Sequence, residues 1–171
     1  MILGEVDIPR IGSCEIERDC TQFNPRGEGA FKLTRAGSDL GGFAFHSIRE
    51  DEGLSLQLVG LGVDSSMRGK GIGSFMMGKA IEFARAVGAF ELTAWALNER
   101  TVRSFGSNFS EEELTIRIPR DESMDLGPDI VVANALRYLE EQRKQQFSPE
   151  EDPDGTRMLK GPAVYLQGSL A

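Results

Sequence analysis

Leucines at 54, 56 and 58 alternate with Ser55 and Gln57, the period-two pattern of a half-buried strand. The phase then slips by one residue. Val59, Leu61 and Val63 take the apolar positions, with Gly60 and Gly62 between them. Two alternating runs offset in this way predict a β-bulge near Leu58–Gly60. From Gly73 to Val87 the period becomes helical: Met77, Ala80, Ile81 and Ala84 share one face, and Gly88 stands where a helix stops. Met76 and Met77 read as core packing. Phe90, Leu92, Ala94 and Ala96 then alternate with Glu91, Thr93 and Trp95, a second strand. Strand, helix and strand in quick succession predict a right-handed parallel crossover. Asn98 suits an N-cap, with a short helix from Glu99 to Ser107 behind it.

The flanks are read with the same rules. Upstream, Cys14–Arg18, Phe31–Arg35 and Gly42–Ile48 are strand candidates. Ser38 to Gly42 reads as the turn that makes an antiparallel hairpin of the last two. Downstream, Leu114–Ile118 alternates like a strand, and Asp129–Phe147 reads as an amphipathic helix with Val132, Leu136 and Leu139 on one face. Ser148–Gly155 is an acidic, proline-containing loop, and Met158–Leu166 returns as a last strand. No internal repeat or linker divides the chain. A single domain over 1–171 is expected, with a reduced N-terminal part (1–41), a core (42–109), and C-terminal strands carrying an inserted helix (110–171).

The chain has 171 residues, 40% of them hydrophobic, enough for one core of its own. No apolar run approaches the roughly 18–20 residues of a membrane span. The amino terminus lacks the basic, apolar and small-residue pattern of a signal peptide. Without such a signal, Cys14 and Cys20 read as reduced thiols, and with His46 the sole histidine they are too few for a metal site. A cytoplasmic protein without a metal is the expectation. The net charge of −8 disfavours nucleic acid, whose phosphates need a positive field, and draws cationic amines instead. The acidity gathers late, at Glu111–Glu113, Asp121-Glu122 and Glu150–Asp152. It is either a solvated surface or a patch that steers a cationic acceptor.

The candidate chemistry lies between the first strand and the helix, where Arg68 to Ser74 read Arg-Gly-Lys-Gly-Ile-Gly-Ser. Glycines at 69, 71 and 73 leave backbone N–H groups bare at a helix N-terminus, where the helix dipole adds partial positive charge. A phosphorylated ligand would suit such a place. A Walker-type loop fails on spacing, since Asp64 stands where its first glycine belongs and Gly71 where its hydroxyl belongs. A dinucleotide fingerprint fails too: begun at Gly69 it ends on Ser74, and begun at Gly71 it ends on Met76.

A third pattern fits. Arg68, Gly71 and Gly73 match (Gln/Arg)-x-x-Gly-x-(Gly/Ala), Leu61-Gly62-Val63 ends the strand before it, and Asn98 follows the second strand. Over residues 42–109 this resembles the GNAT superfamily of N-acetyltransferases. The resemblance implies an α/β fold, a central mixed sheet with splayed parallel strands flanked by helices, here with an extra C-terminal helix. It implies acetyl-CoA as co-substrate and direct attack by a primary amine, on either a small polycation or a protein or peptide. By the same resemblance, backbone groups of Leu61, Gly62 and Val63 hold the pantetheine arm. Arg68, Gly69, Lys70, Gly71, Gly73 and Ser74 hold the pyrophosphate, and Asn98 meets the arm from the far side. Such a transfer needs preorganised donors for the carbonyl oxygen and a base for an amine that is mostly protonated at neutral pH.

The chain departs from that family in ways that bear on chemistry. Relatives often carry a tyrosine seven residues after the asparagine, to protonate the leaving thiolate; here the position is Phe105, which keeps the packing and loses the proton. Gln57 stands where relatives carry glutamate, and an amide is no base. The remaining candidates for that role are His46 and Glu91, with Glu50, Asp51 and Glu52 at a turn. Tyr138 or Tyr165 could supply a hydroxyl if the tail folds back. Asp19–Ala30, with Pro25, Gly27 and Gly29, is too short for the two helices that relatives place there. The acceptor side is then open, or walled by the 129–147 helix, which could otherwise form a subunit contact in a homodimer. The same departures predict an alternative: an inactive module of this fold that binds CoA or a protein partner.

Overall fold

The computed structural model describes residues 2–18, 29–120, 125–155, 157, 159–161 and 163–171. Cys20, most of the 19–30 stretch, Asp121-Glu122 and Met158 lie outside the described residues. The chain divides into two compact units, residues 1–92 with 170–171, and residues 93–169. The architecture is α/β, a mixed sheet with three helices among the described residues.

In the first unit, strands β1 (Ile2–Ile8), β2 (Gly12–Arg18), β3 (Gly29–Arg35), β4 (Ser38–Glu50) and β5 (Gly53–Val63) lie side by side in chain order. Each of these neighbours pairs antiparallel. Helix α1 (Ile72–Ala86) follows, and strand β6 (Ala89–Ala96) begins in this unit beside β5. β1 was not foreseen, although Val6 and Ile8 alternate with Glu5 and Asp7. The hairpin of β3 and β4 is present, but its turn is Ala36-Gly37 and not Ser38–Gly42, which is strand. Ala36 and Gly37 both have positive φ, 50° and 79°, the two-residue turn whose twist suits a hairpin. Asp39, Gly41 and Gly42 resemble turn residues by type, and a register shift at Leu33/Thr34 absorbs them into the ladder.

One face of this sheet receives α1. Ile72, Met76, Met77, Ala80, Ile81 and Ala84 of the helix are buried, the stripe that the helical period predicts. Phe83 fits its ring between Phe31 at 4.7 Å and Phe45 at 5.5 Å, and Phe31 stacks on Phe43 at 5.0 Å. Leu56 and Leu58 join them from β5. Each fully buried side chain of this size stabilises the fold by roughly 1.5–3 kcal/mol.

The second unit holds the end of β6, α2 (Glu99–Gly106), β7 (Leu114–Pro119), β8 (Leu126–Asp129), α3 (Val132–Gln146) and β9 (Val164–Ser169). β9 lies between β6 and β7, and β7 pairs antiparallel with both β9 and β8. Two boundaries differ from the sequence expectation. Helix α3 starts at Val132 because Leu126–Asp129 is a short strand, fixed by the Arg117 Nε bond to Asp129 Oδ1 at 2.7 Å. The last strand starts at Val164 and not Met158, because Lys160 and Gly161 are tied to the Gln146 side chain. Phe105, Val102, Ile116, Leu139, Val164 and Leu166 form this unit's core. Among the described residues no helix is long and apolar enough to cross a membrane.

Candidate functional site

The predicted bulge is present. Phe45 faces Leu58 and Ala44 faces Gly60, so Val59 has no partner across the ladder. Past the bulge the strand runs through Leu61, Gly62 and Val63 and ends where Asp64 N–H donates to Leu40 O at 2.9 Å. Asp64 then caps a single 3-10 turn over Ser65–Met67 by accepting from the Ser66 hydroxyl and from Ser66 N–H at 3.0 Å. These bonds, the hydroxyl first, hold its carboxyl below the ordinary range. The exposed Arg68 side chain turns back, its Nε donating to Val63 O at 3.4 Å. Strand end and loop are thus fastened to each other.

Gly71 is the N-cap of α1 at φ 84°, a left-handed conformation that an L side chain adopts only under strain. It offers no side-chain cap. The first helical bond comes from Phe75 N–H to Gly71 O at 3.0 Å, so the amides of Ile72, Gly73 and Ser74 have no acceptor within the helix. Buried Ile72 anchors the turn. Gly73 lies close to Val63, whose Cγ2 would be 3.6 Å from a Cβ there. A Cβ on Gly62, Gly69 or Gly71 would meet nothing within 4 Å. The result is an open cradle of main-chain donors at the positive end of a helix, with Arg68 and Lys70 exposed beside it. Such a cradle can hold a phosphate or pyrophosphate.

His46 faces Gln57 across the β4–β5 ladder, and both are half-buried. Glu91 is half-buried on β6, and the buried Ser55 hydroxyl donates to its Oε1 at 2.8 Å. Glu50, Asp51 and Glu52 are exposed around the β4–β5 turn. The Ser55–Glu91 bond was not foreseen, since sequence spacing does not report contacts between strands.

In the second unit Asn98 is the expected N-cap of α2. Its Oδ1 accepts from Thr101 N–H at 2.9 Å and from the Thr101 hydroxyl at 3.1 Å, so the cap does not use its amide nitrogen. Phe105 is wholly enclosed, its ring centroid 5.0 Å from that of Phe109. Asn108 donates from Nδ2 to Ser104 O at 2.7 Å, closing the helix. Burial pushes the Tyr138 hydroxyl upward in pKa, and Tyr165 packs its ring on Trp95 at 5.1 Å. Arg143 was missed as a structural residue. Its position four residues after buried Leu139, on the apolar stripe of α3, was the available signal.

A family model described as Acetyltransferase (GNAT) family matches residues 13–107. No curated protein matches the chain. Among solved structures, an acetyltransferase from Bacillus subtilis in complex with CoA is similar with a TM-score of 0.58 and 15% identity, over 92% of this chain and 99% of that one. An IAA acetyltransferase from Bacillus cereus gives 0.55 and 14%, over 90% and 97%. A ribosomal-protein alanine N-acetyltransferase from Escherichia coli gives 0.52 and 15%, over 88% and 74%. At such identities the likeness is one of fold.

Proposed function

The chain belongs to the GNAT acetyltransferase family, and on that footing we propose that it moves an acetyl group from acetyl-CoA to a primary amine. The observation that carries this reading is the cradle at the start of α1. Its left-handed Gly69 and Gly71, with open space where side chains would stand, fit a pyrophosphate that approaches the main chain closely. Arg68, Gly69, Lys70, Gly71, Gly73 and Ser74 hold it in this reading. Leu61, Gly62 and Val63 offer main-chain groups to the pantetheine arm where the bulge bends β5. By resemblance Asn98 adds a contact to the arm from the amide nitrogen its cap leaves over. Phe105, with its ring enclosed, contributes packing within α2. When bound, acetyl-CoA supplies an acyl group on a thioester; the chain supplies position and donors.

The acceptor is a cationic amine in this reading, in keeping with the net charge of −8. A small polycation and a protein or peptide amine both satisfy it. A cytoplasmic location and a homodimer formed through α3 belong to the same proposal.

One observation favours a second reading, binding without transfer. Phe105 occupies the place of the expected tyrosine and carries no hydroxyl. Calorimetric titration with acetyl-CoA and with desulfo-CoA tests the primary claim. Micromolar binding of both is expected, and binding of neither would refute it. An acceptor screen then separates the readings, since a binding module leaves every amine unmodified.

A further inference from the structure

The strands of the second unit carry different chemistry on their two sides. Leu166 and Ile116 face each other across the β7–β9 ladder and are buried with Val102 and Phe105 of α2 and Leu139 of α3. Side chains alternate along a strand, so Tyr165 and Arg117, partners in the same ladder, point to the opposite side. Both are half-buried, and the Arg117 charge is offset by Asp129, whose Oδ1 lies 2.7 Å from its Nε. Trp95 of β6, the strand next to β9, joins them there: its ring meets that of Tyr165 at 5.1 Å, inclined by 62°. Two ring planes set at such an angle form a corner, and neither ring is fully enclosed. Neither belongs to the phosphate cradle or to the core of this unit.

We infer that Trp95 and Tyr165 seat an ammonium group of the acceptor, and that the acceptor is an alkyl polyamine. This rests on the acyl-transfer reading above. The face of an aromatic ring is electronegative, and tryptophan is the strongest of the side chains that hold a cation over it. A cation in the corner meets two such faces at once. The charge of this unit has the matching sign, with fourteen Asp and Glu against nine Lys and Arg over residues 93–169. Trp95 stands three residues before Asn98, at most roughly 10 Å of extended chain. By the resemblance Asn98 meets the pantetheine arm, so an alkyl chain of similar reach joins the reacting amine to the seated ammonium. A monoamine has one nitrogen and cannot fill both places.

The test uses the full chain, whose single tryptophan makes its fluorescence a report on this position alone. With and without desulfo-CoA, spermidine should change the emission saturably, and 1,8-octanediol, a neutral chain of similar length, should not. Tyr165→Leu keeps the fluorophore and should raise the spermidine midpoint by about tenfold, whereas Tyr165→Phe keeps a ring and should stay within about threefold of wild type. In the transfer assay Trp95→Leu should raise KM for spermidine by about tenfold and leave KM for acetyl-CoA unchanged, a split that lost packing alone would not produce. Butylamine, with one nitrogen, should show no such dependence on Trp95. Equal responses to spermidine and octanediol, an unmoved midpoint in Tyr165→Leu, or equal rises in both KM values in Trp95→Leu would overturn the assignment. Saturable spermidine binding at Trp95 without any acetylation would support the ammonium seat and refute the transfer reading. Acetylation of a peptide amine by a chain whose emission ignores spermidine would support the transfer reading and overturn the seat.

Discussion

Arg143 grips both carboxylate oxygens of Glu99, from Nη2 at 2.9 Å and Nε at 3.3 Å. The same guanidinium donates to Asp152 Oδ2 at 2.9 Å and to the Arg157 carbonyl. It is 8% exposed, and it joins the first turn of α2, the last turn of α3 and the acidic loop after α3. The bonds to Glu99, then those to Asp152, raise its pKa, so it stays charged at every working pH. Removing it leaves two carboxylates facing each other without their shared cation. Arg143→Gln should lower unfolding stability by roughly 3 kcal/mol, read by urea denaturation. A change below a few tenths would mean that solvent replaces the guanidinium at no cost.

Gly71 separates strain from occlusion. Gly71→Ala forces an L side chain into φ 84° and should cost about 1–2 kcal/mol in denaturation. Gly71→Glu adds a negative side chain to the cradle and should abolish CoA binding in the titration. If CoA binds the glutamate variant unchanged, the cradle holds no phosphate.

Asn98 holds the start of α2 through its cap bond to Thr101. Asn98→Ala should lower stability by about 1 kcal/mol, whereas Asn98→Asp keeps the accepting oxygen and most of the stability. The pair is read by thermal melting. Equal losses in the two variants would show that the cap oxygen is not what stabilises the helix.

Much of this organisation was legible because it is local. The bulge at Val59 follows from the slip between Leu58 and Leu61, and the limits of α1 follow from its period and Gly88. Asn98 announced its cap by residue type and position. What was misread depended on partners distant in sequence. Ser38–Gly42 has turn residues, yet pairing with Phe31–Arg35 draws it into β4. β8 is only four residues long and exists through its ladder with β7 and the Arg117–Asp129 pair. In the site, the glycine cradle is one continuous stretch and could be read directly. The Ser55–Glu91 bond and the Arg143 cluster join residues 36 and 44 positions apart, and no periodicity encodes them.

Phe105→Tyr would add a hydroxyl at a place with no room for it. The ring is wholly enclosed against Phe109, so the new hydroxyl would be buried within the packing. A loss of roughly 1–3 kcal/mol is expected from an unpaired buried hydroxyl, with no gain in turnover. A stable variant with a higher kcat would show that the ring can turn toward the thiolate.

Asp64 gives the loop a pH dependence with a definite sign. Its carboxyl titrates below the ordinary range in the folded chain, chiefly through the Ser66 hydroxyl and then the Ser66 amide. The stabilisation is therefore complete above the ordinary aspartate value, and is lost as pH falls through the lowered folded one. In an acid titration followed by NMR, the Ser66 amide should shift only below the ordinary range. Ser66→Ala should move that midpoint upward, and an unmoved midpoint would remove the hydroxyl from the account.

The unpaired Val59 can be removed without turning the strand over. Leu54, Leu56 and Leu58 are even-numbered and Leu61 and Val63 odd, yet Phe45 and Phe43 set Leu58 and Leu61 on one side of the sheet. The extra residue resets the count. Deleting Val59 would leave a regular ladder in which Leu58, Gly60 and Leu61 keep Phe45, Ala44 and Phe43 as partners, so Leu61 and Val63 stay on their present side and only the bend is lost. The sides of this strand therefore do not depend on Val59, and a homologous strand without it should keep its faces and lose the local bend before Leu61, Gly62 and Val63.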